Sequence, residues 1–307
     1  MPKRKNSRNK KQVTHSAPAN PDRLQTSNTN LQQSPNPTIP AKLKVLIYLP
    51  NSELVSEKHL ILISNLIPKI KITAPLLLVV NSVGGNLFTA LKIARLLRER
   101  FDGFDTLIPE KAYSAATLLS LGSKQIYMSV NSRLGPIDLP IESPTDGSRI
   151  SSLDVINAAT TISSFVDEIA ERRFIDLRDP QKYNIRNRAE AAKIAFDYAT
   201  QLVLPVMGKV DPYQTQKSYR EIKIAWWYAF DLLTTGMMTG KTDEAWQTCK
   251  KLTTFFPSHE YDIYREDVKY LLKLDVSNLE AFTEWSKIEP EYKKRLDAGT
   301  IADYIEI

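Results

Sequence analysis

The chain has 307 residues, of which 42% are hydrophobic and 25% charged, with a formal net charge of +6, three histidines and one cysteine. This length supports one large domain or two small ones, while the single Cys249 excludes an internal disulfide and, with so few histidines, argues against a metal site. No apolar run reaches the roughly 18 residues of a membrane span, and the N-terminus lacks the apolar region of a signal peptide, so we expect a cytoplasmic protein.

Residues 1–42 are predicted to be a disordered basic leader. They hold eight of the 41 Lys and Arg residues and one of the 35 acidic residues, so residues 43–307 carry a net charge of −1. The segment is rich in Asn, Gln, Ser, Thr and Pro and has too few large apolar residues to fold alone. We favour a solubilising role for the Lys3–Lys11 cluster. The alternative is weak contact with nucleic acid or, peripherally, with an anionic membrane surface.

An alternation of strands and helices is predicted for the next hundred residues. Uninterrupted apolar runs, typical of buried parallel strands, and amphipathic runs follow one another. In chain order we predict a strand at 44–49, a helix at 56–70, a strand at 76–80, a helix at 87–101, the end of a strand at 106–108, a helix through 118–121 and a strand at 125–128.

The remaining chain is predicted to be almost wholly helical after a polar loop at 143–149. The expected helices are 152–176, 188–206, 218–236, 243–255, 264–274 and 279–288. We divide the folded part into a core at 43–206 and a helical extension at 207–307. The bulky cluster Trp226, Trp227, Tyr228 and Phe230 is interpreted as core or subunit interface rather than a ligand cage.

Ser114 is the strongest candidate for chemistry. It lies where a turn enters a helix, after a strand, which is where open α/β sheets place their sites. A serine nucleophile needs a base and backbone donors for the oxyanion. The N–H groups of Ala115 and of Gly84, in the earlier Asn81–Asn86 turn, are the candidate donors, because each is expected at the start of a helix. The alternative for Ser114 is a simple helix cap.

These residues resemble a known family. The Asn-Ser-Val-Gly-Gly run at 81–85 is similar to the Asn-Ser-Pro-Gly-Gly turn of ClpP and signal-peptide-peptidase-A serine proteases, with Val83 in place of proline. The runs at 112–122 and 134–138, and Phe-Pro-Ser-His-Glu at 256–260, resemble the serine dehydrogenase proteinase branch, many of whose members are membrane-associated.

The resemblance extends over about residues 43 to 275. It implies a ClpP/crotonase-like β-β-α superhelix, here with a mainly helical C-terminal extension, that hydrolyses peptide bonds without a cofactor. A protein or peptide substrate and a homo-oligomer follow from the same resemblance. Gly85, Asn86, Gly135 and Pro136 are the expected substrate-binding residues.

The general base is chosen by exclusion. The resemblance implies a histidine, as in ClpP-like enzymes, or a lysine, as in signal-peptide-peptidase-A-like enzymes, at a short distance after the serine. Here no lysine lies between Lys124 and Lys182, and neither His15 in the leader nor His59 in the first helix follows Ser114. That leaves His259, so we predict a triad of Ser114, His259 and Asp138 in the roles of nucleophile, base and orienter.

Several alternatives stay open at this point. Lys111 and Arg133 are fallback polar partners for Ser114. The alternative functions are a crotonase-like acyl-CoA enzyme, which would use the same oxyanion hole without a serine nucleophile, and a non-catalytic interaction protein.

Overall fold

The protein is built around a six-stranded sheet. A computed structural model describes residues 43–50, 53–70, 76–137, 139–143 and 146–307. Its strands are β1 (Lys44–Tyr48), β2 (Leu76–Val80), β3 (Phe104–Ile108), β4 (Lys111–Ala112), β5 (Ile126–Met128), β6 (Arg133–Leu134), β7 (Ile141–Glu142), β8 (Arg149–Ile150), β9 (Ile263–Tyr264), β10 (Val276–Asn278) and β11 (Ala302–Glu306).

The strand order of the main sheet is β10-β5-β3-β2-β1-β11. All neighbours are parallel except β11, which runs antiparallel to β1. Both β1 and β2 are buried along their whole length, as their uninterrupted apolar sequences predict for parallel strands covered on both faces. Separately, β4, β6 and β9 form a three-stranded sheet, and β7 pairs with β8. The architecture is mixed α/β, as predicted.

Eight α-helices surround these strands in the described part of the chain. They are α1 (Glu57–Leu66), α2 (Leu87–Phe101), α3 (Ala115–Leu121), α4 (Ser152–Arg178), α5 (Arg188–Met207), α6 (Pro212–Thr234), α7 (Thr242–Lys250) and α8 (Trp285–Asp297). A 3-10 turn, Ile67–Lys69, follows α1. Two π-helical turns, Lys251–Phe255 and Asp267–Leu271, lie on either side of β9. Helices α2, α3 and α6 contact one another around the core, and α4 forms a long hairpin with α5.

The predicted helices through residue 255 are confirmed, with α6 beginning six residues earlier than expected. The helices predicted at 264–274 and 279–288 are confirmed only in part: the first is helical over 265–271, and the second begins six residues later than expected. Ile263–Tyr264 is β9, followed by a π-helical turn, while β10 ends at Asn278 and α8 begins only at Trp285. The reason is that distant pairing overrides local propensity, because β9 pairs with β6 and β10 with β5. The C-terminal region therefore contributes strands as well as helices.

Each helix in the described part of the chain is either too short or too polar to cross a lipid bilayer.

Candidate active site

Ser114 occupies a strained turn between β4 and α3. Its φ is +48° and its ψ is −107°, and its side chain is almost fully buried. A positive φ at a non-glycine residue costs about 1–3 kcal/mol, and such strain is concentrated at functional sites. Although Ser114 precedes α3, its hydroxyl makes no capping hydrogen bond to that helix. The simple cap interpretation therefore does not account for this serine.

Ser82 connects the Ser114 turn to the glycine turn that follows β2. Its N–H donates to the Lys111 carbonyl at 3.0 Å, and its carbonyl accepts from the Tyr113 N–H at 3.1 Å. Ser82 and Ala112 thereby form a parallel β-bridge. Two segments that are separate in sequence are held side by side at the ends of their strands.

Gly84 lies directly against Ser114. Its φ is +96°, and a Cβ at this position would lie 2.6 Å from the Tyr113 carbonyl oxygen and 3.0 Å from the Ser114 Cβ. Only glycine fits such a backbone approach. The Gly84 N–H, the candidate oxyanion donor, donates to the Ser82 hydroxyl oxygen at 3.1 Å. In this structure it is therefore engaged in a hydrogen bond within its own turn.

Gly85 and Asn86 anchor the glycine turn. Gly85 has a φ of +145°, and any Cβ would lie 2.3 Å from the Val55 nitrogen. Val55 donates its N–H to the Gly84 carbonyl and accepts from the Asn86 N–H, both at 2.8 Å. The Asn86 side chain accepts from the Thr89 N–H at 2.8 Å and so caps α2. The structure thus shows both predicted substrate-binding residues in supporting roles.

Gly135 and Pro136, also predicted to bind substrate, are buried beside the Ser114 turn. A Cβ on Gly135 would lie 2.8 Å from Cδ1 of Tyr113. The Thr117 hydroxyl lies 2.6 Å from the Ala112 carbonyl oxygen and 2.9 Å from that of Gly135. This hydroxyl links α3, β4 and the chain after β6, which stabilises the geometry of the turn.

An ion pair that no local sequence pattern indicates lies next to the Ser114 turn. The Tyr113 hydroxyl donates to Asp262 Oδ1 at 2.5 Å, and Arg133 Nη1 lies 3.1 Å from Asp262 Oδ2. Desolvation alone would raise the pKa of Asp262, but the hydrogen bonds from Tyr113 and Arg133 outweigh it and lower that pKa. Burial, followed by the bond to Asp262, raises the pKa of Tyr113 to about 12. Arg133, a fallback partner of Ser114, is thus bound to Asp262.

His259 lies in the segment between the first π-helical turn and β9. It lines a cavity of 620 Å³ together with side chains of β8 and the start of α4, including Asp154. Its Nδ1 atom is shielded from solvent. The predicted orienter, Asp138, lies outside the described residues. Its neighbour Ile137 donates its N–H to the Leu252 carbonyl at 2.8 Å.

The segment 252–264, which carries His259, runs beside residues 134–137. Leu134 pairs with Ile263 at one end, and Ile137 bonds to Leu252 at the other. Because β6 also pairs with β4, and Tyr113 donates to Asp262, the end of this segment nearest β9 lies beside the turn that holds Ser114. The other fallback residue, Lys111, is half-buried in β4.

A buried polar chain crosses the ends of β2 and β3. Asn81 Nδ2 donates to the Tyr292 hydroxyl at 2.9 Å, and this hydroxyl donates to Glu110 Oε1 at 2.6 Å. Burial raises the pKa of Tyr292 well above its ordinary value. Tyr292 of α8 is thereby hydrogen-bonded to Asn81, after β2, and to Glu110, after β3. No local sequence signal indicates this contact, because its partners are 182 and 211 residues apart.

No metal site is formed within the described ranges, since no three His, Cys, Asp or Glu side chains are grouped there in a way that would hold an ion.

Comparison with known proteins yields limited similarity. No protein-family model matches the sequence, and no curated protein matches it. Among solved structures, a serine-to-alanine variant of a membrane-bound stomatin-specific protease is 14% identical, with 46% of this chain and 64% of that chain covered and a TM-score of 0.27. A lysine-to-alanine variant of that protease in complex with a substrate peptide is 16% identical, with coverages of 50% and 66% and a TM-score of 0.26. The present chain thus spans slightly less than two thirds of each, and similarity of this size does not establish a shared activity.

Proposed function

We propose that this protein is a serine peptidase that hydrolyses peptide bonds through an acyl-enzyme on Ser114. The observation that carries the proposal is the contact between two turns, in which a positive-φ glycine, Gly84, lies against a buried serine with a positive φ. Strain of this kind is maintained only where the surrounding structure enforces it. Here the Ser82 bridge and Val55 supply that enforcement. The finer fold proposal, a ClpP/crotonase-like superhelix, rests on the sequence motifs.

In the proposed reaction, Ser114 Oγ attacks the substrate carbonyl carbon and the carbonyl oxygen gains negative charge. The N–H groups of Ala115 and Gly84 are the proposed donors to that oxygen. In this structure Gly84 donates to Ser82 Oγ, so the substrate oxygen would take over the position of that hydroxyl as acceptor. An anionic oxygen is the stronger acceptor, which favours this exchange in the transition state over the ground state.

His259 is the proposed base and Asp138 its orienter. Two backbone contacts support this choice: Leu134 pairs with Ile263, and Ile137 bonds to Leu252. They hold the chain on either side of His259 near the Ser114 turn. His259 would take the proton from Ser114 Oγ and give it to the leaving amine. Water would then hydrolyse the acyl-enzyme, returning the proton to Ser114.

The proposed substrate is a protein or peptide. The homo-oligomer, the cytoplasmic location and the peripheral membrane contact remain predictions. The fallback role of Lys111 as a cationic partner of Ser114 also remains open.

The test is covalent labelling by a fluorophosphonate, which reacts with activated serines. We expect stoichiometric labelling at Ser114, none in Ser114→Ala, and normal labelling in the matched variant Ser120→Ala. Ser120 lies in α3, where its hydroxyl donates to the Ala116 carbonyl at 2.8 Å. A folded wild-type protein without label at Ser114 would favour the crotonase-like or the non-catalytic function instead. Acyl-CoA turnover that survives Ser114→Ala would identify the former.

A further inference from the structure

A groove between α6 and the end of α7 has a composition unlike that of the rest of the folded protein. It has a volume of 630 Å³, within the range of small-molecule sites. Its charged side chains are Arg220, Lys223 and Lys250, all cations, whereas residues 43–307 as a whole carry a net charge of −1. This local concentration of positive charge favours an anionic ligand.

The three cations are available to a ligand. Lys223 and Lys250 are exposed and, among the described ion pairs, neither has a carboxylate within 4.0 Å. The exposed Arg220 lies 3.8 Å from the carboxylate of its half-buried sequence neighbour Glu221, a distance at which an ion pair with one exposed partner contributes little. An incoming anion therefore has no strong internal pair to displace.

An aromatic wall stands beside these cations. Trp226 lines the groove and is stacked on Phe230, with ring centroids 4.8 Å apart and planes 15° apart. Trp246, from α7, meets Trp226 in a T-shaped arrangement, with ring centroids 4.3 Å apart and planes 67° apart. Tyr219 adds a second, half-exposed ring. Because Trp226 is held by aromatic neighbours on both helices, its position is fixed before any ligand arrives.

The floor of the groove includes an unusual piece of backbone. Thr253 and Thr254 belong to the π-helical turn Lys251–Phe255, and both line the groove. Their hydroxyls donate to the Cys249 and Lys250 carbonyls at 2.9 and 2.8 Å, which stabilises the wider turn. Turns of this type are rare and frequently lie at functional sites.

We propose that this groove binds a nucleoside phosphate, either free or as a nucleotide of a single-stranded nucleic acid. A base stacks on the aromatic wall and its phosphates pair with the cations. Stacking of a base on an aromatic side chain contributes about 1–3 kcal/mol and needs only one exposed ring face. An aliphatic acid would require an enclosed tunnel to bury its chain, whereas this groove is open to solvent on one side.

The test is calorimetric titration of the full chain at low salt with ADP, with adenosine, with inorganic phosphate and with a single-stranded oligonucleotide. We expect saturable ADP binding that weakens as salt rises. Adenosine and phosphate should each bind at least tenfold more weakly than ADP. Equal affinity for ADP and oligonucleotide would identify the free nucleotide as a sufficient ligand, and binding of the oligonucleotide alone would assign the groove to nucleic acid.

Matched charge variants locate the binding. The double variant Lys223→Gln, Lys250→Gln should weaken binding at least tenfold, or about 1.4 kcal/mol. The control Lys193→Gln, Lys241→Gln removes the same charge from exposed positions elsewhere and should bind as wild type. Tyr219→Ala, at a half-exposed ring, tests stacking without opening the core.

Three results would overturn the proposal. They are the absence of saturable binding by any nucleotide, an equal loss in the control double variant, or binding of polyglutamate in preference to nucleotides. Thermal melting of each variant separates a lost ligand from a lost fold.

Discussion

Replacing Gly84 with alanine tests the site at its closest contact. The new Cβ would lie 2.6 Å from the backbone oxygen of Tyr113 and 3.0 Å from the Ser114 Cβ, so the Ser114 turn must move. The left-handed backbone at a φ of +96° costs an alanine about 1–2 kcal/mol, and the overlap adds roughly 1–3 kcal/mol. Because this strain acts directly on Ser114 and on the proposed oxyanion donor, we expect the reaction rate to fall by about 10² to 10³.

A second glycine provides the control for backbone strain. Gly240, between α6 and α7, has a φ of +79°, and a Cβ there would meet nothing within 4 Å. Gly240→Ala therefore carries the positive-φ cost without the collision. We expect it to lower the free energy of unfolding by about 1–2 kcal/mol and to leave the reaction rate unchanged.

The assay is the second-order rate constant for fluorophosphonate labelling, measured with thermal melting on the same samples. Gly84→Ala should label at least a hundredfold more slowly while it remains folded at the assay temperature. A folded Gly84→Ala protein that labels at the wild-type rate would refute the assignment of this turn to the oxyanion site. An equal loss in Gly240→Ala would show that the effect is general destabilisation.

Four further predictions follow from the same structure. His259→Ala should slow labelling of Ser114 at neutral pH by roughly 10² or more, measured against the wild type, and no loss would exclude His259 as the base. Tyr292→Phe, which deletes the hydroxyl between Asn81 and Glu110, should lower the free energy of unfolding by about 1–3 kcal/mol in denaturant titrations. Deletion of residues 1–42 should leave the melting temperature nearly unchanged, whereas a large drop would show that the leader contacts the domain. Burial raises the pKa of Asp105 from 3.8 to about 6. The ionised carboxylate therefore lowers the free energy of unfolding by roughly 3 kcal/mol at neutral pH, and the fold loses this stability as the pH rises from about 4 to about 6. Asp105→Asn should therefore raise the melting temperature at about pH 8 and have little effect at about pH 4; an unchanged melting temperature at the higher pH would contradict this.

Local sequence patterns predict the parts of this fold that depend on local physics. The strand at 76–80 and the helix at 87–101 are confirmed to the residue, because an apolar run and an amphipathic period each determine one element. The structure brings Gly84 and Ser114 together, two residues that the sequence predicts to act in one site. Their catalytic roles, like the domain boundary at residue 206, remain predictions.

Contacts between distant segments could not be predicted in this way. A helix is predicted to begin at residue 264, but Ile263–Tyr264 form a strand because they pair with Arg133–Leu134. The bond from Tyr113 to Asp262 spans 149 positions, and nothing in either neighbourhood indicates the other. The position of His259 depends on these same long-range pairings, which is why its role was reached by exclusion.

The position of β11 affects how the protein is made. Strand β1 lies between β2 and β11, and β10 covers β5 at the opposite side of the sheet. During synthesis both β1 and β5 therefore keep an open edge until residues 276–306 have left the ribosome, and open edges are where nascent chains associate wrongly. Because pairing across such sequence distances is slow, folding should begin late rather than strand by strand. Closure of the sheet on both sides thus depends on strands that lie far downstream of Ser114 in the sequence.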